Sequence, residues 1–193
     1  MLAAASGCAQ ADVLDEVDVV VGVRGVACGA TSRGVGVVVD DDRVLTNAHV
    51  VAGVDAIEIE GRDGVLIGFD PNRDLALVSV GGLGPAAIEV GSVGAGDEGT
   101  LVAIDATARH VLHRFRVLRR IRATGEDIYR DGGADRRAIE VEVEFAPGWS
   151  GAGLFDDEGR LVGVAFAESR RRRGVAYAVA GSEITDFLDS VDD

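Results

Sequence analysis

The sequence predicts an all-β fold made of two clusters of short strands, followed by one helix. Apolar and β-branched residues recur with a period of two along most of the 193 residues, as expected for half-buried strands. A glycine-rich stretch, Gly81–Gly99, separates the runs into two groups, and helical spacing is clear only near the C-terminal end. Many evenly spaced short strands are typical of barrels or sandwiches. Two barrels of roughly 80 residues, joined by the glycine-rich stretch, fit the chain length.

Six strands are predicted before the glycine-rich stretch. Ala56–Glu60 alternates between apolar and acidic residues, and Gly61-Arg62-Asp63-Gly64 then leads into a second run, Val65–Phe69. Because Asp-Gly between alternating runs is a strong hairpin signal, we expect these two runs to pair through that turn. The other four predicted strands are Val17–Val23, Val35–Val39, Val44–Thr46 and Leu75–Val80.

Five strands and the helix are predicted after that stretch. Ile139–Phe145 is the cleanest alternation in the chain and predicts a strand with one wet face and one core face. The other four are Leu101–Ile104, Arg114–Leu118, Leu161–Phe166 and Val175–Val179. Ser182 is a plausible N-cap for a helix with apolar residues at the spacing i, i+3, i+4 and i+7, which are Ile184, Phe187, Leu188 and Val191.

These elements predict a division of the chain into four parts. Residues 1–16 form a tail or the remnant of a signal, and residues 17–80 form the N-terminal barrel. Residues 81–99 form the linker, and residues 100–193 form the C-terminal barrel with the terminal helix.

Composition excludes several classes of function. The net charge of -14 argues against a nucleic-acid-binding protein, which normally presents a basic face. All nineteen basic residues are arginine, so Schiff-base lysines, P-loop lysines and Ser-Lys dyads are excluded. Three histidines and two cysteines without a C-x-x-C pair argue against a structural zinc site. No apolar run reaches the ~18 residues of a membrane span.

Three segments beside predicted strands carry the side chains of acyl-transfer chemistry. They are Leu45–Val51 with His49, Asp70–Val78 with Asp74, and Pro147–Gly153 with Ser150. Taken singly, each has an ordinary interpretation: a surface or core histidine, a cap at a strand entry, and a tight turn. Their joint occurrence in this order, each beside a strand, favours a catalytic interpretation.

The residue types match what a serine nucleophile requires. A serine hydroxyl is a poor nucleophile near neutral pH and needs an imidazole, here His49, to accept its proton. A buried carboxylate, here Asp74, fixes the imidazole tautomer and stabilises the imidazolium. Backbone N–H groups must face the oxyanion, and the amides of Gly148 and Ser150 are the candidates. Gly151 lets a substrate approach without a side chain in the way.

A competing motif is the G-x-S-x-G nucleophile elbow, which Gly148–Ala152 resembles except for its final alanine. That elbow joins a strand to a helix, and its histidine follows the serine in the chain. Here no histidine follows His113, and no helical pattern follows Ser150. The chain order therefore excludes an α/β-hydrolase.

The three segments resemble those of trypsin/chymotrypsin-like serine proteases. The T-N-A-H-V-V form around His49, with Val50 where the animal enzymes carry a cysteine, is similar to the bacterial HtrA-type branch, and the D-L-A-L-V form at Asp74 agrees. Arg122–Tyr129 and Gly159–Phe166 are similar to the periplasmic acid-resistance proteases of actinobacteria. The resemblance covers roughly residues 17–190 and implies two six-stranded antiparallel barrels, with the site in the cleft between them and a C-terminal helix.

The resemblance also assigns roles to residues of this chain. His49 would be the general base and then the general acid, Asp74 would orient it, and Ser150 would be the nucleophile. The N–H groups of Gly148 and Ser150 would form the oxyanion hole. Trp149 is a departure, because the family usually has Asp or Asn there, and in trypsin-like zymogens that Asp pairs with a new N-terminus. Trp149 cannot form this ion pair, so that activation route is not expected.

These observations predict a serine endopeptidase that hydrolyses protein or peptide substrates through an acyl-enzyme on Ser150. No metal or organic cofactor is implied, and the oligomeric state is left open. Two alternatives stay open: a weak or inactive relative that serves as a binding or scaffold module, and an esterase with the same triad. Arg170–Arg173 is interpreted either as a solvated hairpin tip or as an attractor of acidic substrate segments.

The N-terminus predicts an extracytoplasmic protein, whether secreted, periplasmic or anchored to the cell envelope. Met1–Cys8 looks like the end of a bacterial lipoprotein signal, in which Cys8 would carry the lipid, although a basic region and a full apolar stretch are missing. Cys8 and Cys28 could also form a disulfide. The resembled proteases pair a cysteine near position 28 with one close to their C-terminus, which this chain lacks, so the resemblance implies a free Cys28.

Overall fold

The computed structural model describes residues 17–83, 87–126, 128–129 and 133–193. The predicted tail with Cys8 lies outside the described residues, as does Asp127 of the Arg122–Tyr129 segment. The described residues form two closed antiparallel β-barrels and a C-terminal helix, which confirms the predicted fold class.

The first barrel contains six strands in the order β1-β2-β3-β6-β5-β4, and pairing of β1 with β4 closes it. Period-two runs form these strands because alternate side chains of a strand point to opposite faces. Their bounds are β1 Val20–Ala27, β2 Ala30–Asp40, β3 Arg43–Thr46, β4 Ala56–Ile59, β5 Arg62–Asp70 and β6 Leu75–Ser79. A single turn of helix, α1, runs from Ala48 to Val51 directly after β3.

The second barrel also contains six strands, in the order β7-β8-β9-β12-β11-β10, and pairing of β7 with β10 closes it. Its strands are β7 Glu98–Ile104, β8 His110–Glu126, β9 Gly133–Glu142, β10 Gly153–Phe155, β11 Leu161–Glu168 and β12 Val175–Ala180. Helix α2, Gly181–Asp192, follows β12 and buries Ile184 and Phe187. Among the described residues, no helix is long and apolar enough to cross a membrane.

The β2 strand explains how the two barrels pack together. Val38 belongs to the core inside the first barrel, whereas Val35, Val37 and Val39 belong to the core shared with the second barrel. Both faces of this strand are therefore buried, which is why Val35–Val39 is an unbroken apolar run. The Ser150 loop of the second barrel contacts β2 at this packed interface.

Several local predictions were wrong. The first hairpin turns at Glu60 and Gly61, which have φ values of 49° and 74°, so the two residues with positive φ are not the predicted Asp-Gly pair. The α2 helix begins at Gly181 after Ala180, so Ser182 lies inside the helix and is not the N-cap. The short strand β10 was not predicted, because it has only three residues and begins with a glycine.

The cleanest alternating run also differs from its prediction. Strand β9 ends at Glu142 and begins earlier than predicted, at Gly133. Glu142 is exposed as expected, but Glu140 is only 1% exposed. Its carboxylate accepts a hydrogen bond from Arg119 at 2.8 Å and also contacts Arg172. These two cations compensate for the loss of water around Glu140.

Candidate active site

His49 and Asp74 form a hydrogen-bonded pair at the edge of the first barrel. The Nδ1 atom of His49 lies 2.9 Å from Oδ2 and 3.0 Å from Oδ1 of Asp74, and the His49 backbone N–H also donates to Oδ1 at 3.0 Å. An ionised carboxylate can only accept, so Nδ1 carries the proton that it donates to Asp74. The other ring nitrogen, Nε2, is then left with a free lone pair that can accept a proton.

The surroundings keep Asp74 dry and leave His49 accessible. The side chain of Asp74 is 3% exposed, and that of His49 is 36% exposed. Asp74 has a φ of 58°, a left-handed conformation that aspartate tolerates better than most residues. The Asn47 amide donates to the Asp74 carbonyl at 3.0 Å. This bond fixes the chain at Asp74 relative to the start of α1.

The segment before Asp74 is fastened to the C-terminal helix. Arg73 donates to Glu183 at 2.8 Å and also pairs with Asp70. These partners raise the pKa of Arg73 above its usual range, mainly through the Asp70 hydrogen bond and against the opposing effect of burial. Burial alone would raise the pKa of Glu183, but hydrogen bonds from Arg137 and Arg73 lower it overall. Helix α2 therefore supports the strand entry that carries Asp74.

Ser150 lies in a loop built from two consecutive tight turns. Trp149 N–H donates to the Ala146 carbonyl at 3.1 Å, and Ala152 N–H donates to the Trp149 carbonyl at 3.0 Å. The third residue of each turn is a glycine with positive φ, 89° at Gly148 and 92° at Gly151. These are the features of type II turns, in which glycine at the third position avoids strain. Trp149 is shared by the two turns, and Ser150 is the second residue of the second turn.

Backbone bonds tie the Ser150 loop to both barrels. The carbonyl of Ser150 accepts from Val35 N–H of β2 at 2.8 Å, and Gly151 N–H donates to the Ala165 carbonyl of β11 at 2.8 Å. A Cβ atom added to Gly151 would lie 1.8 Å from the Val35 carbonyl oxygen. Only a glycine allows this close approach.

Gly34 connects the Ser150 loop with the helix that carries His49. A Cβ atom added to Gly34 would lie 2.7 Å from Val50 and 2.9 Å from the Ser150 carbonyl oxygen. Ser150 and the α1 helix therefore pack on the same residue of β2. The hydroxyl of Ser150, however, makes no hydrogen bond to any residue that the structure describes. Catalytic hydrogen bonds are often long in unliganded sites.

The backbone amides of Gly148 and Ser150 have no hydrogen-bond acceptor among the residues that the structure describes. Backbone N–H groups in folded proteins are usually paired with protein or water. These free amides flank the predicted nucleophile and are available to an anionic oxygen.

Trp149 packs away from the loop surface into the second barrel. It is 8% exposed and belongs to the shared core. Its ring lies 5.0 Å from the His113 ring, measured between centroids, and 6.1 Å from the Phe145 ring in an edge-on arrangement. Trp149 thus anchors the loop by apolar packing at the position where the resembled family uses an acidic or amide residue.

Several residues that support the site were not predicted from the sequence. Thr46 donates to the Val35 carbonyl at 2.7 Å, next to the bond that holds Ser150. Asn47 positions the Asp74 backbone, as described above. Both residues directly precede the helix that carries His49, so their place in the T-N-A-H run was an available signal. No local signal pointed to Arg136, whose Nη1 donates to the Asn72 carbonyl at 2.9 Å.

No cluster of three or more His, Cys, Asp or Glu side chains suited to a metal ion occurs in the part of the chain that the structure describes. Cys28 is an exposed free cysteine. Cys8, its alternative disulfide partner, lies outside the described residues.

Comparison with known protein families and sequences identifies relatives of this chain. The family model of the trypsin-like peptidase domain matches residues 34–164. The serine protease Rv3671c of Mycobacterium tuberculosis (strain ATCC 25618 / H37Rv) is 27% identical over 181 residues, which cover 89% of this chain and 46% of the relative. A probable periplasmic serine endoprotease, DegP-like, of Ectopseudomonas mendocina is 31% identical over 159 residues, which cover 78% of this chain and 33% of the relative. The chain thus spans less than half the length of these relatives.

Solved structures show the same architecture. The active form of the Rv3671c protease from M. tuberculosis aligns with a TM-score of 0.86 and 26% identity, covering 94% of this chain and 84% of that one. The HtrA-type protease AlgW with a decapeptide aligns with a TM-score of 0.74 and 20% identity, covering 93% and 66%, and this second likeness supports the fold alone. Because the family model matches most of the chain and includes the segments around His49, Asp74 and Ser150, the chain belongs to the trypsin-like peptidase domain family.

Proposed function

We propose that this chain is a serine endopeptidase in which Ser150 is the nucleophile, His49 the general base and Asp74 the residue that orients His49. The single observation that carries the proposal is the His49–Asp74 hydrogen bond, 2.9 Å from Nδ1 to Oδ2, in a chain whose Ser150 loop holds the serine between Gly148 and Gly151, two glycines with positive φ. Family membership supports the reaction class.

The reaction would proceed in two acyl transfers. As Ser150 Oγ bonds to the scissile carbonyl carbon, its proton moves to His49 Nε2, and the carbonyl oxygen becomes an oxyanion facing the amides of Gly148 and Ser150. Collapse of this intermediate breaks the C–N bond, and the leaving amine takes the proton from His49. Water then attacks the acyl-enzyme with His49 as base, which releases the acid and restores Ser150.

Two observations favour the alternative of a weak or inactive binding module. The Ser150 hydroxyl is not hydrogen-bonded to any described residue, and Trp149 replaces the family's usual residue. A fluorophosphonate probe separates the two functions, because it labels only an activated serine. We expect labelling of the unaltered protein and none of Ser150→Ala or His49→Ala, and absence of labelling in the unaltered protein would contradict the proposal.

Peptide-bond cleavage distinguishes an endopeptidase from an esterase. We expect Ser150→Ala to lower kcat/KM on an internally quenched peptide by at least ~10³-fold. An unaltered protein that hydrolyses an activated ester but leaves matched amide and peptide substrates intact would be an esterase instead. Unchanged peptidase activity in Ser150→Ala would remove Ser150 from the mechanism.

We also propose an extracytoplasmic location. The supporting observation is that DegP-like relatives carry names that describe them as probable periplasmic endoproteases. A lipid on Cys8 is the corresponding proposal for envelope anchoring. Mass spectrometry of native protein would detect the acylated Cys8 peptide, and an unmodified Cys8 would exclude the anchor.

A further inference from the structure

A cavity of about 360 Å³ lies at the second barrel. Residues of β8, β9, β11 and β12 line it. Its walls include the aromatic rings of Phe166 and Tyr177, the aliphatic Ala134, and the guanidinium of Arg136. The lining therefore combines two aromatic rings with charged side chains, among them Arg136 and the buried Glu140.

Arg136 is buried without a charged partner. Only 9% of its surface is exposed, and it forms no salt bridge with a carboxylate in the part of the chain that the structure describes. Its Nη1 donates to the Asn72 carbonyl at 2.9 Å, and its Cζ lies 4.5 Å above the centre of the Phe166 ring. Its Nε is buried and has no hydrogen-bond acceptor. A buried cation in this condition is costly, because it has lost water and no carboxylate lies close enough to form a direct ion pair with it.

The side chain of Arg136 nevertheless keeps its positive charge. Burial lowers the pKa of Arg136 below its usual range, and three nearby carboxylates act in the opposite direction: Asp74, Asp70 and Glu183. A guanidinium has so high an ordinary pKa that it stays protonated in spite of this shift. The cavity therefore contains a permanent positive charge.

The other arginines at this cavity are already neutralised. Arg119 lies 2.7 Å from the carboxylate of Glu140, and Arg122 pairs with Asp135. Arg136 is thus the lining cation that still lacks a carboxylate partner among the described residues. Asp74, Asp70 and Glu183 act on Arg136 only from beyond ion-pair distance, so an anion that enters the cavity would be the first to pair with it directly.

The position of the cavity connects it to the proposed chemistry. Asn72, which binds Arg136, lies two residues before Asp74. Phe166, which stacks on Arg136, directly follows Ala165, whose backbone is hydrogen-bonded to Gly151 and Ala152. The cavity therefore borders both the segment that carries Asp74 and the strand that holds the Ser150 loop.

We infer that this cavity binds an acidic side chain of the peptide substrate, within four residues of the scissile bond, and that Arg136 determines this specificity. The inference rests on the proposed endopeptidase function. The planar guanidinium suits a carboxylate, and a charge-assisted bond gains strength beside the apolar Phe166 and Tyr177 rings. A glutamine of equal length brings no charge and cannot neutralise Arg136.

The test uses a quenched peptide that the unaltered protein cleaves. Each position from the fourth residue before the scissile bond to the fourth after it is replaced once by Glu and once by Gln. We expect kcat/KM for the Glu peptide to exceed that for its Gln twin by at least ~10-fold at one position. Peptides that are cleaved with a ratio near one at all eight positions overturn the inference and leave the proposed function intact. If no peptide is cleaved, the proposed function itself fails.

Variants then assign the preference to a residue. Arg136→Gln should bring the Glu/Gln ratio close to one, whereas Arg136→Lys should keep part of it because it retains a charge. The ratio is measured within one preparation, so partial unfolding lowers both rates equally and leaves it unchanged. Arg114→Gln, which removes an exposed arginine paired with Asp157, is the matched control and should keep the full ratio.

A second cavity provides the competing explanation. It has a volume of about 430 Å³, is lined by Gly148 and Gly34, and contains the exposed Arg33. If Arg33→Gln abolishes the Glu preference while Arg136→Gln keeps it, the inference is overturned and the acidic residue belongs in that cavity.

Discussion

The two barrels contribute to the candidate site in different ways. The first barrel supplies an acid–base pair that is already assembled, since Asp74 accepts hydrogen bonds from both the ring and the backbone of His49. The second barrel supplies Ser150 from a loop held by backbone bonds and glycine turns, and the serine hydroxyl has no partner among the described residues. The proton acceptor is thus fixed by side-chain contacts, whereas the nucleophile is positioned by the shape of the main chain.

This difference predicts that activity is lost when a side chain of the first barrel changes its charge but keeps its shape. Asp74→Asn keeps the size of the side chain and tolerates the φ of 58°, but it removes the charge that fixes the His49 tautomer. We expect kcat/KM on the quenched peptide to fall by about 10⁴-fold, with little change in Tm. Asp157→Asn, at an exposed aspartate, is the control. Activity of Asp74→Asn within tenfold of the unaltered protein would show that Asp74 does not orient His49.

In the second barrel, by contrast, a substitution that disturbs the backbone of the Ser150 loop should lower the stability of the protein. Gly151→Ala would put a Cβ 1.8 Å from the Val35 carbonyl oxygen at a φ of 92°. We expect the free energy of unfolding to fall by at least ~3 kcal/mol, because a β2 strand inside a packed interface has to move. Urea unfolding measures this change.

Gly148→Ala is the matched control for that prediction. Gly148 has a similar φ of 89°, but nothing lies within 4 Å of an added Cβ. Only the backbone strain remains, so a loss of about 1 kcal/mol is expected. Equal losses in the two variants would contradict the conclusion that close approach to β2 holds the Ser150 loop.

A smaller effect on stability than that of Gly151→Ala is expected for a substitution in α2, the helix that supports the segment with Asp74. Glu183→Gln removes the acceptor of hydrogen bonds from Arg73 and Arg137. Because these arginines are partly exposed, we expect a loss of about 2 kcal/mol in unfolding free energy at pH 7. Glu158→Gln, at an exposed carboxylate, should change it by less than about 0.5 kcal/mol.

The same pair of variants tests the pH dependence. The pKa of Glu183 is lowered in the folded protein, so its stabilising contribution is complete above the pKa of about 4.3 expected in the unfolded chain. That contribution disappears as the pH falls through the lower folded-state pKa. The Tm difference between Glu183→Gln and the unaltered protein should therefore shrink below about pH 4. A difference that stays constant down to pH 3 would contradict this assignment.

Local pattern predicted most of the strands but not their ends. The first-cluster runs correspond to β1–β6 because a period of two reports directly on which face of a strand is buried. The hairpin turn lies at Glu60-Gly61 and α2 begins at Gly181, and the predicted positions differ from these by one to a few residues. Turn type and helix start depend on backbone angles that neighbouring strands impose, and side-chain pattern alone does not report them.

The buried charges show the same limit more sharply. The sequence pattern places Glu140 on a solvent-exposed face, but in the structure Arg119 and Arg172 pair with its carboxylate. No sequence pattern distinguishes Arg136 from the other arginines, but in the structure it is buried against Phe166 and the Asn72 carbonyl. In both cases the deciding partners come from other strands and loops that are distant in the sequence, so a local stretch of sequence does not contain the information.

The sequence by itself determined the all-β class, the helical end and the three side chains suited to acyl transfer, because these depend on residue type and local periodicity. Tertiary structure alone decided that His49 donates to Asp74, that Ser150 accepts from Val35, and that the buried Arg136 donates to the Asn72 carbonyl. Each of these contacts joins residues far apart in the chain, and only closure and packing of the two barrels bring them within hydrogen-bond distance.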